Sequence, residues 1–292
     1  MKLLSDLNYW EPTNLSDTVN LLANMGDQVR PLAGGTDLLV KMKKGPINWE
    51  GIVNLKGLRE LKGINYEGVT ITIGALTHIS SLIESPLVIH HFPVLVDAAR
   101  SLGTPQVRNL ATIGGNLCNA SPAGDVALVL LMYEARLLII GPNGSRKLLV
   151  EEFCVGPNQT VLQQGEILTA IEIDLPPLNS KGVFYKHGKR KSHEIALVNV
   201  AVLLTPQSGT KQIARARIAV GSVATTQLRI KDAEDSLTDS LASLSAFEQA
   251  AELAKKAVNP IDDVRSTASY RKQMVGVLTK RALVEAWGGE KL

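Results

Sequence analysis

Two short stretches of the chain combine adjacent glycines with hydroxyl, amide and carboxyl side chains, and these are the places where the sequence could bind a ligand. Residues 31–39 read PLAGGTDLL, and residues 112–125 read TIGGNLCNASPAGD. Glycine lets the backbone approach a ligand closely or adopt a positive φ. Backbone N–H groups gathered in such a loop suit the negative charge of a pyrophosphate. Each stretch alone also fits a plain turn, but both follow predicted strands and share one chemistry, so together they predict a phosphate-containing ligand.

Other signatures of chemistry are missing from the sequence. Neither stretch matches G-x-G-x-x-G or G-x-x-x-x-G-K-[ST], and the chain contains no H-E-x-x-H and no G-x-S-x-G. Adjacent His90 and His91 would point to different faces of a helix, so they cannot chelate one metal. Cys118 and Cys154 are too few for a disulfide framework or an iron–sulfur site. We therefore predict no catalytic residue for hydrolysis and no metal site in this chain.

Length and charge restrict the class of protein. The chain has 292 residues, 45% of them hydrophobic, which favours two domains over one. Its net charge of +3 comes from 31 basic and 28 acidic side chains. Residues 189–191 are the densest basic run, which is typical of a solvated loop, so nucleic acid is not an expected partner. The sequence shows no signal peptide and no apolar run long enough to span a membrane, and we predict a cytoplasmic protein with reduced cysteines.

The order of predicted elements indicates an α+β protein. Residues 14–26 read as a helix capped by Asn14 and closed by Gly26. In residues 68–76, alternation places Val69, Ile71 and Ile73 on one side of a strand. Residues 77–103 read as two helices separated at Pro86, and residues 135–153 read as a hairpin with a Pro-Asn-Gly turn. The N-terminal part of about 178 residues ends at a linker that starts with two adjacent prolines, at 176 and 177.

The C-terminal part is predicted to contain short strands followed by helices. Its last helix, residues 269–287, is expected to present one apolar face, and Arg281 falls on that face as either a snorkelling side chain or a functional ion pair. The predicted face contains Tyr270, Met274, Val277, Leu278 and Val284.

The two glycine motifs, about eighty residues apart, resemble those of the FAD-binding medium subunits of the molybdenum hydroxylases. That family includes the flavin subunits or domains of carbon monoxide dehydrogenase and xanthine dehydrogenase. Later segments resemble the same family in the same order, so the resemblance covers nearly the whole chain: EILTAIEIDLPP, FYKHGKRKSHEIALVNVAV, RIAVGSVATTQLRIKDAE and SYRKQMVGVLTKRAL. It implies a two-lobed FAD-binding domain of the vanillyl-alcohol oxidase (PCMH) type over residues 1–178. A smaller α+β C-terminal domain would follow over residues 182–288.

The resemblance also implies a set of residues that bind FAD without a covalent bond. In the first loop, backbone N–H groups and the Thr36 hydroxyl would surround the diphosphate. The residues implied there are Leu32, Ala33, Gly34, Gly35, Thr36, Asp37 and Leu38. In the second loop, the residues that would close over the diphosphate and ribityl chain are Thr112, Gly114, Gly115 and Asn116.

Four further positions are implied by the same resemblance. Asp125 would face the adenosine end of FAD, or cap the following helix, or do both. Lys186 would lie near the flavin ring, or be an ordinary surface lysine. Leu168 would pack near the adenine, and Cys118 would be a buried apolar contact rather than a reactive thiol.

The resemblance implies that this chain functions in electron relay. An iron–sulfur small subunit carrying [2Fe–2S] would deliver electrons, FAD would store them, and an external acceptor would take them. Substrate hydroxylation would take place on a molybdopterin large subunit, in a hetero-oligomer that is a dimer of heterotrimers. Two alternatives stay open: a standalone flavin-dependent oxidase or reductase of the same fold, and a non-catalytic nucleotide-binding or assembly module.

Overall fold

The structure is a computed structural model that describes residues 7–190 and 194–289. Its first lobe is a small parallel sheet with strand order β1-β3-β2, accompanied by two helices. The bounds are β1 Asn8–Trp10, α1 Leu15–Met25, β2 Val29–Leu32, α2 Leu38–Lys44 and β3 Gly51–Asn54. The first glycine stretch therefore connects the end of β2 to the start of α2.

The predicted ends of α1 are confirmed. The Asn14 side chain accepts a hydrogen bond from the Asp17 amide at 2.8 Å, which satisfies one of the free N–H groups of the first turn. Gly26 has a φ of +50° and donates its N–H to the Leu22 carbonyl. Residues facing inward from α1 and the sheet form the core of this lobe, so the strand that leads into the glycine stretch has a fixed position.

The second lobe is an antiparallel sheet of five strands, in the order β4-β5-β10-β6-β7, packed against six short helices. Its strands are β4 Ile64–Glu67, β5 Thr70–Gly74, β6 Arg136–Gly141, β7 Gly144–Leu149 and β10 Ile167–Asp174. A separate two-stranded ribbon consists of β8 Cys154–Gly156 and β9 Gln159–Thr160. The helices are α3 Ile79–Glu84, α4 Pro86–His91, α5 Pro93–Ser101, α6 Pro105–Arg108, α7 Ile113–Cys118 and α8 Asp125–Met132.

Two predictions about this lobe need correction. The helical region after β5 breaks at Pro93 as well as at Pro86, because proline lacks an N–H and suits the first position of a new helix. Ile71 and Ile73 share one side of β5 as predicted and are fully buried, but Val69, expected on that side too, lies before the strand and is 69% exposed. The hairpin of β6 and β7 is confirmed.

The C-terminal domain is an antiparallel sheet, β11-β12-β13-β14, covered on one side by helices. Its elements are β11 Lys181–His187, β12 Val198–Pro206, β13 Ile213–Gly221, β14 Leu228–Arg229, α9 Lys231–Leu237, α10 Leu244–Ala257 and α11 Ala268–Trp287. Nearly all of β12 is buried, because α11 packs on one face of the sheet and α8 of the first domain packs on the other. Strands followed by helices are thus confirmed.

The predicted apolar face of α11 is right for three of its five residues, which are buried or pack against the core of the domain, and wrong for the other two. Tyr270 and Val277 are exposed, whereas Arg271, Val275 and Ala282 are buried. The helix contacts both the sheet and α10, so its buried surface is set by two neighbours and not by the largest apolar residues. The predicted functional or snorkelling arginine of this helix, Arg281, is exposed.

The two domains meet at an ionic cluster. Glu134, just after α8, accepts hydrogen bonds from Arg215 at 2.8 Å, from Arg229 at 3.2 Å and from Arg217. These arginines hold the pKa of Glu134 below its usual range although burial opposes them. The cluster fixes the C-terminal sheet against the helices that follow the second glycine stretch.

Candidate functional site

The structure brings the two glycine stretches into contact. A Cβ built on Gly34 would lie 2.0 Å from the carbonyl oxygen of Leu110, just before the second stretch. A Cβ on Gly115 would lie 3.9 Å from the Cβ of Ala33. The backbones are closer than side chains would allow, so glycine at position 34 is a requirement of packing between the stretches.

The first stretch offers unused hydrogen-bond donors. Within the described parts of the chain, the amide N–H groups of residues 33–37 donate to no protein acceptor, although the carbonyl of Gly35 accepts from Leu39 at 3.1 Å. Gly35 has a φ of +80°, which turns successive peptide units and favours glycine. A run of free N–H groups in a turn is a concave site for an anion.

The second stretch is organised differently. The N–H of Ile113 donates to Thr77 O at 3.0 Å, and that of Gly114 donates to Ala75 O at 2.9 Å. The N–H of Gly115 donates to the hydroxyl of Thr112 at 3.0 Å, which makes Thr112 the N-cap of α7. The expectation of a loop is therefore wrong for residues 113–118, which form α7 and whose first amides are all bonded within the protein.

One side chain of the second stretch lacks a partner. Asn116 Oδ1 is buried and, among the described residues, accepts no hydrogen bond. A buried acceptor of this kind costs free energy until a donor reaches it. FAD carries such donors in its ribityl and ribose hydroxyls, whereas its phosphates only accept. The donor set of the first stretch and the acceptor of the second therefore fit two different parts of FAD.

Asp125 and Lys186 form an ion pair between the two domains. Lys186 Nζ lies 2.6 Å from Asp125 Oδ2 and donates to the Ser101 carbonyl at 3.0 Å. Asn199, a residue that the sequence prediction missed, donates to Asp125 Oδ1 at 3.0 Å. Burial raises the pKa of the Asp125 carboxyl, and Lys186 and Asn199 oppose that rise.

This pair corrects two details of the prediction. Asp125 is the first residue of α8 and not its cap, because Gly124 occupies the cap position. The expectation placed Asp125 toward the adenosine and Lys186 toward the flavin ring. Side chains that touch each other cannot contact opposite ends of an extended FAD, so the two predicted positions are incompatible with each other. Lys186 is half-buried, so the surface-lysine alternative is wrong.

The remaining predicted residues divide between surface and core. Thr36 is half-buried in the turn and Asp37 is exposed. Leu32 and Leu38 pack with Met42 beneath the first stretch.

Leu168 in β10 is 4% exposed and contributes to the largest core cluster. Burial of the Cys118 thiol, with a smaller contribution from Cys154, raises its pKa to about 12, which fits the predicted unreactive contact.

Sequence reasoning missed three polar residues beside the glycine stretches: Lys41, Asn119 and Asn158. Lys41 Nζ donates to both asparagine side chains. Lys41 follows Asp37 by one helical turn, so helical spacing could have indicated Lys41. Asn119 lies inside the second stretch, so its position there could have indicated it. Nothing in the sequence points to Asn158, because the contact comes from the tertiary fold.

No cluster of three or more His, Cys, Asp or Glu side chains with metal-binding geometry occurs among residues 7–190 and 194–289. In the same residues, no helix has the length and apolar character needed to cross a lipid bilayer.

Comparison with known proteins identifies the family. Residues 5–176 match the family model described as the FAD binding domain in molybdopterin dehydrogenase, and residues 183–286 match that of the CO dehydrogenase flavoprotein C-terminal domain. The chain belongs to this family of FAD-binding oxidoreductase subunits. Its fold is the predicted one, a PCMH-type FAD-binding domain followed by a smaller α+β domain.

Individual relatives are similar over their whole length. The medium chain of carbon monoxide dehydrogenase from Hydrogenophaga pseudoflava is 34% identical, with 96% of each chain covered. A putative xanthine dehydrogenase FAD-binding subunit of Escherichia coli is 32% identical, covering 96% of this chain and 95% of the relative. A solved structure of the Hydrogenophaga pseudoflava enzyme, lacking the Mo-pyranopterin moiety of its cofactor, superposes with a TM-score of 0.93 at 34% identity, covering 96% and 97% of the chains. These relatives are named as a chain or subunit of a larger enzyme.

Proposed function

We propose that this chain is the flavoprotein subunit of a molybdenum hydroxylase and that it relays electrons through non-covalently bound FAD to an external acceptor. The observation that carries the assignment of the site is the contact between the two glycine stretches. One presents free amide donors in a turn and the other presents a buried, unpaired acceptor, Asn116 Oδ1.

In this proposal, each of these groups binds a different part of FAD. Amides of residues 33–37 bind the diphosphate, and the Thr36 hydroxyl adds a donor. Asn116 accepts from a hydroxyl of the ligand, while Gly114 keeps α7 close to Ala75 and Gly115 leaves room for the Thr112 hydroxyl. When bound, FAD supplies a centre that can take electrons singly and release them in pairs.

The Asp125–Lys186 pair has two roles in the proposal. It joins α8 to β11, so that the C-terminal domain is held against the FAD-binding domain. It also places an ammonium group, partly neutralised by one carboxylate, at the junction that the ligand is proposed to reach. Leu168 and Cys118 contribute packing beneath the site and no charge.

The partners proposed are an iron–sulfur small subunit with [2Fe–2S] and a molybdopterin large subunit, assembled in the cytoplasm as a dimer of heterotrimers. Names of relatives, which describe medium chains and FAD-binding subunits, support a multi-subunit enzyme. We also propose that residues 1–178 form the FAD-binding domain and residues 182–288 the C-terminal domain.

Flavin binding is tested on the purified full-length chain. We expect a yellow protein from which acid precipitation releases FAD into the supernatant. Colour that stays with the precipitate contradicts the non-covalent assignment, and a chain that takes up no FAD contradicts the proposed site.

Electron relay is tested in the assembled enzyme. Co-expression with neighbouring reading frames is expected to give one complex on gel filtration that contains iron, molybdenum and flavin. A lasting complex needs an interface of roughly 1,600 Å² or more. Flavin in the complex should be reduced by the hydroxylase substrate, whereas the isolated chain should not turn over. Steady turnover by the isolated chain, at about ten events per second, would instead identify a standalone oxidase.

A further inference from the structure

A lysine on α2 links the two glycine stretches. Lys41 Nζ lies 2.8 Å from Asn119 Oδ1 and 2.6 Å from Asn158 Oδ1. Asn119 directly follows α7, and Asn158 lies in the turn between β8 and β9. We call these three residues the Lys41 bridge. Among the described residues no carboxylate lies within ion-pair distance of this ammonium, so its charge is shared only with neutral amide oxygens.

The bridge closes into a ring that includes the first stretch. Asn119 Nδ2 donates to Asp37 Oδ1 at 3.1 Å, and the amide of Lys41 donates to the Asp37 carbonyl at 3.0 Å. Asp37 is therefore held at both its backbone and its side chain. Partial desolvation by the surrounding protein raises the pKa of the Asp37 carboxyl, and the Lys41 ammonium opposes that rise.

The far side of the bridge is also fixed. The amide of Asn158 donates to the Ala120 carbonyl at 3.1 Å, and Asn158 has a φ of +60°, a conformation that asparagine tolerates better than most residues. The ribbon of β8 and β9, the end of α7 and the start of α2 are thus tied together by one cation.

We propose that the Lys41 bridge is a positioning device, which holds the free amides of residues 33–37 in the conformation that binds the FAD diphosphate. This inference rests on the proposed function. Ordering several flexible residues during binding costs conformational entropy, and a loop that is already ordered avoids that cost. The ammonium, which forms no ion pair with the described residues, also makes the surroundings of the loop favourable for a diphosphate.

The test compares two lysines of the same helix. Lys41→Met removes both donors but keeps the aliphatic chain, and Lys43→Met is the matched control. Lys43 is exposed and makes no hydrogen bond or ion pair with the described part of the chain. Flavin-free full-length protein is titrated with FAD. We expect the dissociation constant to rise about tenfold for Lys41→Met, since the bonds lost are to a charged group. For Lys43→Met it should stay within about twofold of the wild-type value.

Two further variants separate an effect on the positioning of residues 33–37 from an effect on the overall stability of the protein. Lys41→Arg keeps a cation with several donors and should restore FAD binding to within about threefold of wild type. Asn158→Gly suits the positive φ and removes one acceptor, so it should weaken FAD binding less than Lys41→Met does. The melting temperature of the flavin-free protein should be nearly the same in all of them. If Lys41→Met does not fold, Asn158→Gly still tests the bridge.

The outcomes that contradict the bridge differ from those that contradict the proposed function. Wild-type protein that does not bind FAD refutes the proposed function, whatever Lys41 does. If wild type binds FAD and Lys41→Met binds it equally well, the bridge has no positioning role. The same conclusion follows if Lys41→Arg binds FAD as weakly as Lys41→Met, or if the loss of affinity is matched by a large fall in the melting temperature of the flavin-free protein.

Discussion

The first and second glycine stretches have similar sequences but differ in their hydrogen bonding in the structure. In the first, residues 33–37 leave their amide groups without protein acceptors in the described chain. In the second, the amides of Ile113, Gly114 and Gly115 are all bonded within the protein, and the free polar atom is a side-chain oxygen on Asn116. Paired glycines can therefore leave amide donors free in one place and accompany a fully hydrogen-bonded helix start in another.

The difference has a physical origin in what surrounds each stretch. Gly114 lies under Ala75, where a Cβ would come within 2.7 Å of both the Cβ and the carbonyl oxygen of Ala75. A Cβ added to Gly35 would meet only flexible leucine side chains, at 3.1 Å, so glycine is required there mainly by its φ of +80°. Substitutions in the first stretch should thus change flavin binding, whereas substitutions at Gly114 or at the cap of α7 in the second stretch should change stability.

The largest effect is expected at the contact between the stretches. Gly34→Val would place a side chain 2.0 Å from the Leu110 carbonyl oxygen, and backbone atoms cannot move aside as a flexible side chain can. We expect flavin content, measured as flavin absorbance per mole of purified protein, to fall below about a tenth of the wild-type value.

Gly45→Val is the matched control for that experiment. Gly45 ends α2 in an ordinary extended conformation, and a Cβ added to it would meet no atom of the described residues within 4 Å. It should keep wild-type flavin content. Equal flavin content in Gly34→Val and Gly45→Val would show that contact between the stretches is not needed for binding.

The next effect concerns Asn116, whose substitution should affect the melting temperature and the FAD affinity differently. Asn116→Ala removes an acceptor that is buried without a partner, so the flavin-free protein should melt at the same temperature or slightly higher. FAD affinity should fall, because the ligand hydroxyl loses its acceptor, by about tenfold. Thermal melting and FAD titration of one preparation test both signs, and unchanged affinity would exclude Asn116 from the site.

A smaller effect is expected from the cap of α7. Thr112→Val removes the hydroxyl that accepts from the Gly115 amide and should cost about 1 kcal/mol of folding stability. The melting temperature of the flavin-free protein should fall by a few degrees, while the flavin content of protein purified at low temperature should stay close to wild type. A loss of flavin without a loss of stability would show that the second stretch binds the ligand through this hydroxyl, and the contrast between the stretches would then be wrong.

The smallest effect concerns the sheet that supports α7. Asp174 in β10 accepts two hydrogen bonds from Arg136, both at 2.6 Å, and they lower its pKa to about 2. A carboxyl with a lowered pKa stabilises the fold above its unfolded pKa of about 4, and this contribution disappears as the pH falls toward 2. Because the Asp174 side chain is half-exposed, the gain is modest.

Asp174→Asn tests that contribution. Wild type should lose more stability than the variant between about pH 4 and pH 2, as measured by denaturant unfolding, and FAD affinity at neutral pH should be the same in both. An identical loss in the two proteins would show that the pair does not contribute.

Much of the architecture could be predicted from sequence because it depends on local signals. The Asn14 cap, the Gly26 end of α1 and the alternation at Ile71 and Ile73 each act within a few residues. Predictions failed where contacts distant in sequence decided the structure. In α11, two neighbouring elements determine which residues are buried. In α7, the glycines form a helix where a loop was expected.

For the site, the sequence determined which residue types are available, and its motifs were specific enough to identify an FAD-binding family. Glycines, hydroxyls and amides at two places suffice for that, because they are the groups that let a backbone approach a diphosphate. The contact between the stretches, the pairing of Asp125 with Lys186, and the Lys41 bridge were decided only by the tertiary structure. Each joins groups more than sixty positions apart in the chain, and no local preference encodes a distance between side chains that only folding brings together.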